Sequence, residues 1–397
     1  MKRATGVALG AAPEIDERAR GAPASAAPRR LTLVGPLPPP SGGMANQTRQ
    51  LAQLLAAEGT DVRLVQTNAP YSPPWVGSVP FVRAAFRLVP YLFRLWRDMR
   101  DADLAHVMAN SGWAWHLFAA PAIWIASMRS APVVVNYRGG EAESFFERQF
   151  ALVRPTLARA AVVVVPSGFL REVFAKRGVE TVEVPNIVDL AAFHPAESLP
   201  AEPHILVTRN LEPIYDIATA IRAFALLLER APKARMTIAG SGPQRAELER
   251  LAAELGVSER VRFTGRLDNR ELPALYRTAS VALNPSLADN MPISLLEAMA
   301  SGVPIVSTNV GGIPHLVEDG VTAVLVAPGD HERMADAQLR VLCNADVARG
   351  LRANGLVLAA SFSWLQVRPR LMAAYASAAT RAGRSLARTR TSDTARP

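Results

Sequence analysis

Two carboxylates eight residues apart, Asp289 and Glu297, lie in the run Asn284-Pro285-Ser286-Leu287-Ala288-Asp289-Asn290-Met291-Pro292-Ile293-Ser294-Leu295-Leu296-Glu297-Ala298-Met299-Ala300-Ser301-Gly302-Val303-Pro304. Asp289 and Asn290 are residue types that cap helix N-termini, and Pro292 is tolerated in a first helical turn. The free amides of that turn, with the helix dipole behind them, form an anion site. On an ideal helix the spacing leaves the two carboxylates about 80° apart, so both face one elongated ligand. Paired carboxylates also carry out acid/base hydrolysis of a glycosidic bond. A purely structural reading makes them a capping Asp and a solvated Glu.

Three further segments suit phosphate. Gly35-Pro36-Leu37-Pro38-Pro39-Pro40-Ser41-Gly42-Gly43 joins an apolar strand-like run to a helical one, and its glycines let a ligand approach the backbone amides. The spacing is not GxGxxG, and the second strand ends in Gln66-Thr67-Asn68 rather than in an acid that would read a ribose, so a dinucleotide cofactor is disfavoured. Arg209 follows the run 204–208, where its guanidinium fork takes phosphate oxygens bidentately; a surface pair with Glu212 is the alternative. Gly240-Ser241-Gly242-Pro243 is a third glycine-rich strand end, which also reads as a tight turn. Phosphate-ready turns beside a carboxylate pair favour a nucleotide-linked sugar over a glycosidase substrate. No cofactor is expected, and no metal-ligand cluster stands out.

These residues need strands to carry them. Apolar runs at 31–34, 61–66, 104–108, 132–136, 161–165 and 182–184 are continuously hydrophobic, as buried parallel strands are. After a polar, Pro-containing stretch at 195–203 the pattern restarts at 204–208, 235–239, 261–264, 281–284, 304–307 and 323–326, with helices such as 244–255 and 292–300 between. Two successive β/α series imply two doubly wound sheets facing a cleft, with ligands at the carboxyl ends of the strands.

The chain has 397 residues, 49% hydrophobic and 20% charged, which excludes a disordered or fibrous protein. Residues 1–30 carry six basic and three acidic side chains, and residues 379–397 carry five Arg and one Asp. Seven of the nine net positive charges therefore sit at the ends, so the basic balance does not point to nucleic acid. A single cysteine, Cys343, excludes a disulfide framework and fits a reducing, cytoplasmic compartment. The apolar stretch 113–128, with His116 inside it, is shorter than the roughly 20 residues of a membrane span and reads as a buried helix. Residues 1–29 read as a disordered tail and not as an export signal, and 379–397 as a second, basic one.

From residue 204 to 328 the chain resembles the carboxyl-terminal domain of the retaining glycosyltransferases of family 4, which have the GT-B fold. The resemblance rests on Arg209, Gly240-Ser241-Gly242-Pro243, Phe263-Thr264-Gly265, the stretch from Asp289 through Glu297-Ala298-Met299-Ala300-Ser301-Gly302, and Gly311-Gly312. Upstream, Ser41-Gly42-Gly43 and Pro185-Asn186-Ile187-Val188-Asp189 resemble the family's first loop and interdomain strand. Phe362-Ser363-Trp364 resembles the start of a final helix that crosses back to the first domain. The resemblance implies an acceptor-side domain at 30–195, a donor domain at 204–360 and a crossing helix at 361–378. It further implies that Arg209 holds the donor diphosphate, with Gly240 and Gly242 beside it. Asp289 and the segment Asn290, Met291 and Pro292 would read sugar and phosphates, and Glu297 the ribose hydroxyls. Gly42 and Gly43 would admit the diphosphate from the opposite domain.

The sequence departs from the family's pattern in three places. Asp289 stands where Glu is usual. No Lys follows Arg209 in Asn210-Leu211-Glu212-Pro213-Ile214-Tyr215-Asp216. Met108 stands where the family often has a second His after His106. Acceptor-side candidates are therefore His106, Asn110, Ser111, Arg138 and Glu141; His106 reads equally as a satisfied core histidine. Arg83, Arg87, Arg94 and Arg97 fall within about 80° on an ideal helix, among Phe81, Phe86, Tyr91, Phe93 and Trp96. Such a stripe suits an anionic membrane surface or, equally, a core helix with one solvated basic face. Trp113, Trp115 and Trp124 are expected in the core. The expected function is transfer of a sugar from a nucleotide-sugar to a glycan or lipid-linked acceptor; a GT-B binding subunit with impaired turnover is the alternative.

Overall fold

The computed structural model describes residues 27–39, 42–71, 82–197, 200 and 202–393. Most of the expected N-terminal tail, Ser41 and Phe81 lie outside the described residues, as does the side chain of Arg83. All twelve expected strands form: β1 (Arg30–Gly35), β2 (Asp61–Gln66), β3 (Leu104–Ala109), β4 (Val133–Tyr137), β5 (Val162–Val165), β6 (Val182–Glu183), β7 (His204–Val207), β8 (Arg235–Ala239), β9 (Val261–Gly265), β10 (Val281–Asn284), β11 (Ile305–Thr308) and β12 (Val324–Val326). They build two six-stranded sheets, ordered β2-β1-β3-β4-β5-β6 and β12-β11-β10-β7-β8-β9, with every pairing parallel. Parallel strands are covered on both faces, which is why they read as unbroken apolar runs.

Helices in the first half are α1 (Gly43–Ala57), α2 (Val82–Asp98), α3 (Ala120–Met128), α4 (Ala142–Leu157) and α5 (Gly168–Ala175). The second half has α6 (Ile217–Arg230), α7 (Arg245–Glu254), α8 (Leu272–Tyr276), α9 (Ile293–Ala300), α10 (Ile313–Leu316), α11 (His331–Cys343), α12 (Ala345–Ala360) and α13 (Trp364–Asp393). Each sheet carries an apolar cluster on each face. One of the first sheet's clusters is closed by α13: Val367, Leu371, Met372, Tyr375 and Ala378 pack with Leu31, Leu33 and Val164. Trp364 and Arg368 both bond Glu58 at the end of α1. The expected disordered tail after 378 is corrected by this helix, which runs on to Asp393; its Ala, Arg and Leu are strong helix formers despite the basic composition.

The order of each sheet reverses once. β1 pairs with both β2 and β3, and β7 with both β8 and β10. Between such strands the following loops part to opposite faces and leave a crevice. The loops after β1 and β3 carry Gly42, Gly43, Asn110 and Ser111; those after β7 and β10 carry Arg209 and Asp289.

Two expectations about helices are corrected. The stretch 113–128 is not one buried helix. A π-helical turn, Trp115–Ala119, precedes α3; Trp115 is fully buried, whereas Trp113 and Trp124 are exposed. Arg159 stacks on Trp124 at 3.5 Å. The basic stripe of α2 is narrower than its spacing implies: Arg94 and Arg97 are exposed, while Arg87 is half-buried and stacks on Tyr71 at 4.2 Å. Phe86, Val89, Phe93 and Trp96 of the same helix are exposed. Among the described residues no helix is long and apolar enough to cross a membrane.

Candidate active site

The two halves enclose a cleft of about 820 Å³. The first half contributes Gly42, Gly43, Asn110, Ser111, Arg138 and Glu141, and the second contributes Arg209, Asp289, Asn290, Met291 and Pro292. A recess of about 150 Å³ adjoins it, reached past Gly42, Gly43 and Arg209 and lined by Gly240, Ser241, Ser294 and Glu297. Arg209 lines both spaces.

Arg209 is held from several sides. Its guanidinium pairs with the Asp289 carboxylate and donates to Ser286 Oγ at 3.2 Å and Ser294 Oγ at 3.4 Å. It stacks on the Tyr215 ring at 4.3 Å, and its buried Nε has no partner among the described residues. Burial pulls its basicity below the usual arginine range. The backbone beneath it is clamped: an added Cβ on Gly240 would lie 1.9 Å from the Arg209 carbonyl oxygen.

Asp289 does not cap α9, contrary to expectation. The helix begins at Ile293 without a side-chain cap, because Pro292 disfavours helical geometry in the residue before it. Asp289 instead accepts from Arg209 and from the amide of Asn290 at 2.9 Å. The two carboxylates therefore share no helix: Asp289 faces the cleft and Glu297 the recess. Asn290 is tied across the cleft by Ser167, and the Met291 carbonyl accepts from Asn186 at 2.7 Å. Gly311 and Gly312 press on this segment. An added Cβ on either would lie 2.1 or 2.0 Å from the Asp289 or Asn290 carbonyl oxygen, and the Gly312 amide donates to Asp289 at 2.9 Å.

Glu297 is buried and accepts from the Tyr276 hydroxyl at 3.2 Å. That hydroxyl also lies 3.0 Å from the Ser294 carbonyl and 2.7 Å from Thr208 Oγ1, so its single proton is contested. Burial pushes the Glu297 carboxyl up to about 8, against the opposing pull of Tyr276 and Arg209.

Two candidates fall outside the cleft. His106 is fully buried and bonded on both ring nitrogens, to Tyr375 at 2.8 Å and Asn136 at 3.1 Å; burial and the nearby Arg138 charge lower it to about 3. It is a core residue that ties α13 to the first sheet. Gly242 lines neither space, and an added Cβ there would meet the Leu211 carbonyl oxygen at 2.2 Å. Sequence reasoning missed Tyr215, Tyr276, Ser286, Ser294 and Arg266. Tyr276 and Ser294 sit at helical positions that read as filler, and Arg266 follows Gly265 on a strand end like those that were noticed. Among the described residues no group of three His, Cys, Asp or Glu side chains is placed to hold a metal ion.

The sequence matches two families in succession: the glycosyl transferase 4-like domain over residues 42–186 and glycosyl transferases group 1 over residues 192–356. It is 32% identical over 211 residues to D-inositol 3-phosphate glycosyltransferase of Nocardia farcinica, covering 49% of this chain and 47% of that protein. It thus spans about half the length of that relative. It is 26% identical over 370 residues to phosphatidyl-myo-inositol mannosyltransferase of Mycobacterium leprae, covering 85% of this chain and 94% of that one. Among solved structures, sucrose-phosphate synthase from Thermosynechococcus elongatus superposes with a TM-score of 0.71 at 23% identity, covering 87% of this chain and 98% of the other. HepE from Anabaena, in complex with UDP and glucose, superposes with a TM-score of 0.68 at 18% identity, covering 87% and 98%.

Proposed function

Because the chain belongs to the family 4 glycosyltransferases, with a glycosyl transferase 4-like domain followed by a glycosyl transferases group 1 domain, we propose that it moves a sugar from a nucleotide-sugar to a glycan or lipid-linked acceptor with retention at the anomeric carbon. Its two facing parallel sheets are the GT-B architecture. The observation that carries the reading is Arg209, which stands where the cleft meets the recess and pairs with Asp289. In this reading the nucleoside enters the recess and its ribose bonds Glu297. The diphosphate lies against Arg209 and the Gly42–Gly43 amides, and the sugar extends over Asp289. The diphosphate exchanges into the bonds that Asp289 makes with Arg209, which leaves the carboxylate to accept from sugar hydroxyls.

Catalysis is electrostatic. The bond between the anomeric carbon and the phosphate oxygen breaks as the acceptor oxygen bonds that carbon on the same face. The acceptor's proton passes to the leaving phosphate. Arg209 and the backbone amides of Asn290 and Met291 carry the developing charge in place of a metal ion, and the cleft between the two halves holds the reactants in register. The work is that of glycolipid or cell-surface polysaccharide assembly at the inner face of the cytoplasmic membrane. The test is release of nucleoside diphosphate from a panel of nucleotide-sugars with acceptor present, with the product's anomeric configuration read by NMR. Binding without turnover favours an impaired binding subunit, and sugar release without nucleotide favours a glycosidase.

Glu297 gives a pH signature. Raised to about 8 in the free protein, it is largely protonated at neutral pH, whereas a ribose diol donates to the carboxylate. Nucleoside diphosphate affinity should therefore rise as pH increases towards 8 and level off above it. Glu297→Gln should remove that rise and weaken every nucleotide by a similar factor, roughly 10- to 150-fold for a charge-assisted hydrogen bond, with sugar preference kept. Calorimetric titrations across pH check it; identical profiles for both proteins would contradict the ribose role.

The exposed face of α2 is proposed to lie on an anionic membrane, with Phe86, Phe93 and Trp96 in the interface and Arg94 and Arg97 towards lipid phosphates. Each surface arginine contributes about 1 kcal/mol. Reversing both to Glu should lower partitioning onto anionic vesicles by roughly 30-fold or more, and wild-type binding should fall with salt. Salt-insensitive binding, or equal binding by the reversed variant, would point to a soluble acceptor.

A further inference from the structure

Arg138 follows β4 and lines the cleft but not the recess. Its Nε donates to Asn136 Oδ1 at 3.1 Å and its Nη1 to Asn186 Oδ1; these anchoring amides are almost wholly buried. Both partners are neutral. They fix the direction of the guanidinium and leave its charge uncompensated, and among the described residues no carboxylate pairs with it. Burial lowers its basicity to about 10, with no opposing charge to restore it.

The other charged groups on this wall do not supply a counter-ion. Glu141 lines the same space without pairing with Arg138, and Arg148 adds a second positive charge. Across the cleft, Asp289 is already taken by Arg209. A partly buried cation without a partner costs free energy, and its rigid fork fits phosphate or carboxylate. Asn110, Ser111 and Arg138 share the first half's wall, away from the recess that Glu297 and Gly240 line.

We infer that Arg138 is the anchor of an acceptor subsite, and that the acceptor is a phosphate-bearing molecule whose anion docks on Arg138 while its hydroxyl faces the sugar over Asp289. The inference rests on the glycosyltransferase reading above. It goes beyond that reading in giving the acceptor a charge and placing it on a named side chain. The phosphate belongs either to a soluble polyol or sugar phosphate or to a lipid headgroup.

The experiment is calorimetric titration of glycerol 3-phosphate into the full chain held saturated with nucleoside diphosphate, with neutral glycerol as control. Wild type should bind the phosphate and not glycerol. Arg138→Gln should bind it at least tenfold more weakly, and Arg138→Lys, which keeps the charge but loses the anchored fork, should fall between the two. Asn136→Asp separates charge from scaffolding. The new carboxylate keeps the bond to Arg138, and His106 satisfies it by exchanging tautomers, but the charge of Arg138 is cancelled; this variant should also lose at least tenfold. A second arm titrates short-chain phosphatidic acid in neutral detergent: tighter binding than glycerol 3-phosphate assigns the anion to a lipid, weaker binding to a soluble acceptor, and both support the subsite. If wild type binds nucleoside diphosphate but no phosphate, or if Arg138→Gln and Asn136→Asp bind it as wild type does, the subsite is overturned and the donor reading stands. Failure to bind any nucleoside diphosphate would instead undo the donor reading.

Discussion

Arg209→Ala should lower turnover by about 100- to 1000-fold, the loss seen when one donor that stabilises a developing anion is removed, while the protein stays folded. The side chain sits at the carboxyl end of β7, and its loss takes nothing from the strand ladder. It does leave Asp289 without its cation and Ser286 and Ser294 without a donor, so a modest drop in melting temperature is expected. The decisive comparison is between nucleoside diphosphate and nucleoside alone. Diphosphate affinity should collapse in the variant, whereas a nucleoside, which makes no phosphate contact, should bind both proteins alike. Equal turnover in a well-folded variant would remove Arg209 from the mechanism.

The second large effect is expected from a residue without a side chain. Gly240→Ala places a methyl group against backbone, with the Arg209 carbonyl oxygen at 1.9 Å and its carbon at 2.8 Å. Backbone cannot swing away as a flexible side chain can, so the loops after β7 and β8 must part. Overpacking of this kind costs typically 1–3 kcal/mol, and the displaced segment carries Arg209. Activity should therefore fall by a factor comparable to Arg209→Ala, together with a lower melting temperature. Gly350→Ala in α12 is the control. It meets nothing within 4 Å, and alanine in an exposed helix should stabilise by about 0.5–1 kcal/mol. Wild-type activity in Gly240→Ala would mean that the close approach does not position Arg209.

The strands were legible because a parallel sheet buries both faces of each strand, and runs such as Val162–Val165 leave no other reading of their hydrophobicity. The positions of Arg209, Gly42 and Asp289 were legible for a related reason: they follow such runs, and ligands collect where those loops converge. What the sequence could not convey is which side chains meet across the chain. Arg209 and Asp289 are eighty residues apart, and so are their roles in any local pattern; only the pairing of β7 with β10 brings them together. The helical arithmetic for Asp289 and Glu297 failed because Pro292 delays the helix, so one carboxylate turns to the cleft while the other stays on α9. His106 reads by type as either a catalytic or a satisfied core histidine, and its place in mid-strand with partners on both sides makes it the latter. Trp113 and Trp124 read as core by their helical spacing, yet the π-helical turn breaks the periodicity that would have buried them with Trp115.

A cleft built around Arg209 should be a nucleoside diphosphate site. Calorimetric titration of UDP, GDP and ADP into the full chain tests this most directly. At least one should bind with one-to-one stoichiometry, and the same nucleotide should bind Arg209→Ala at least tenfold more weakly. Binding by none of them, or an affinity that ignores Arg209→Ala, would contradict it.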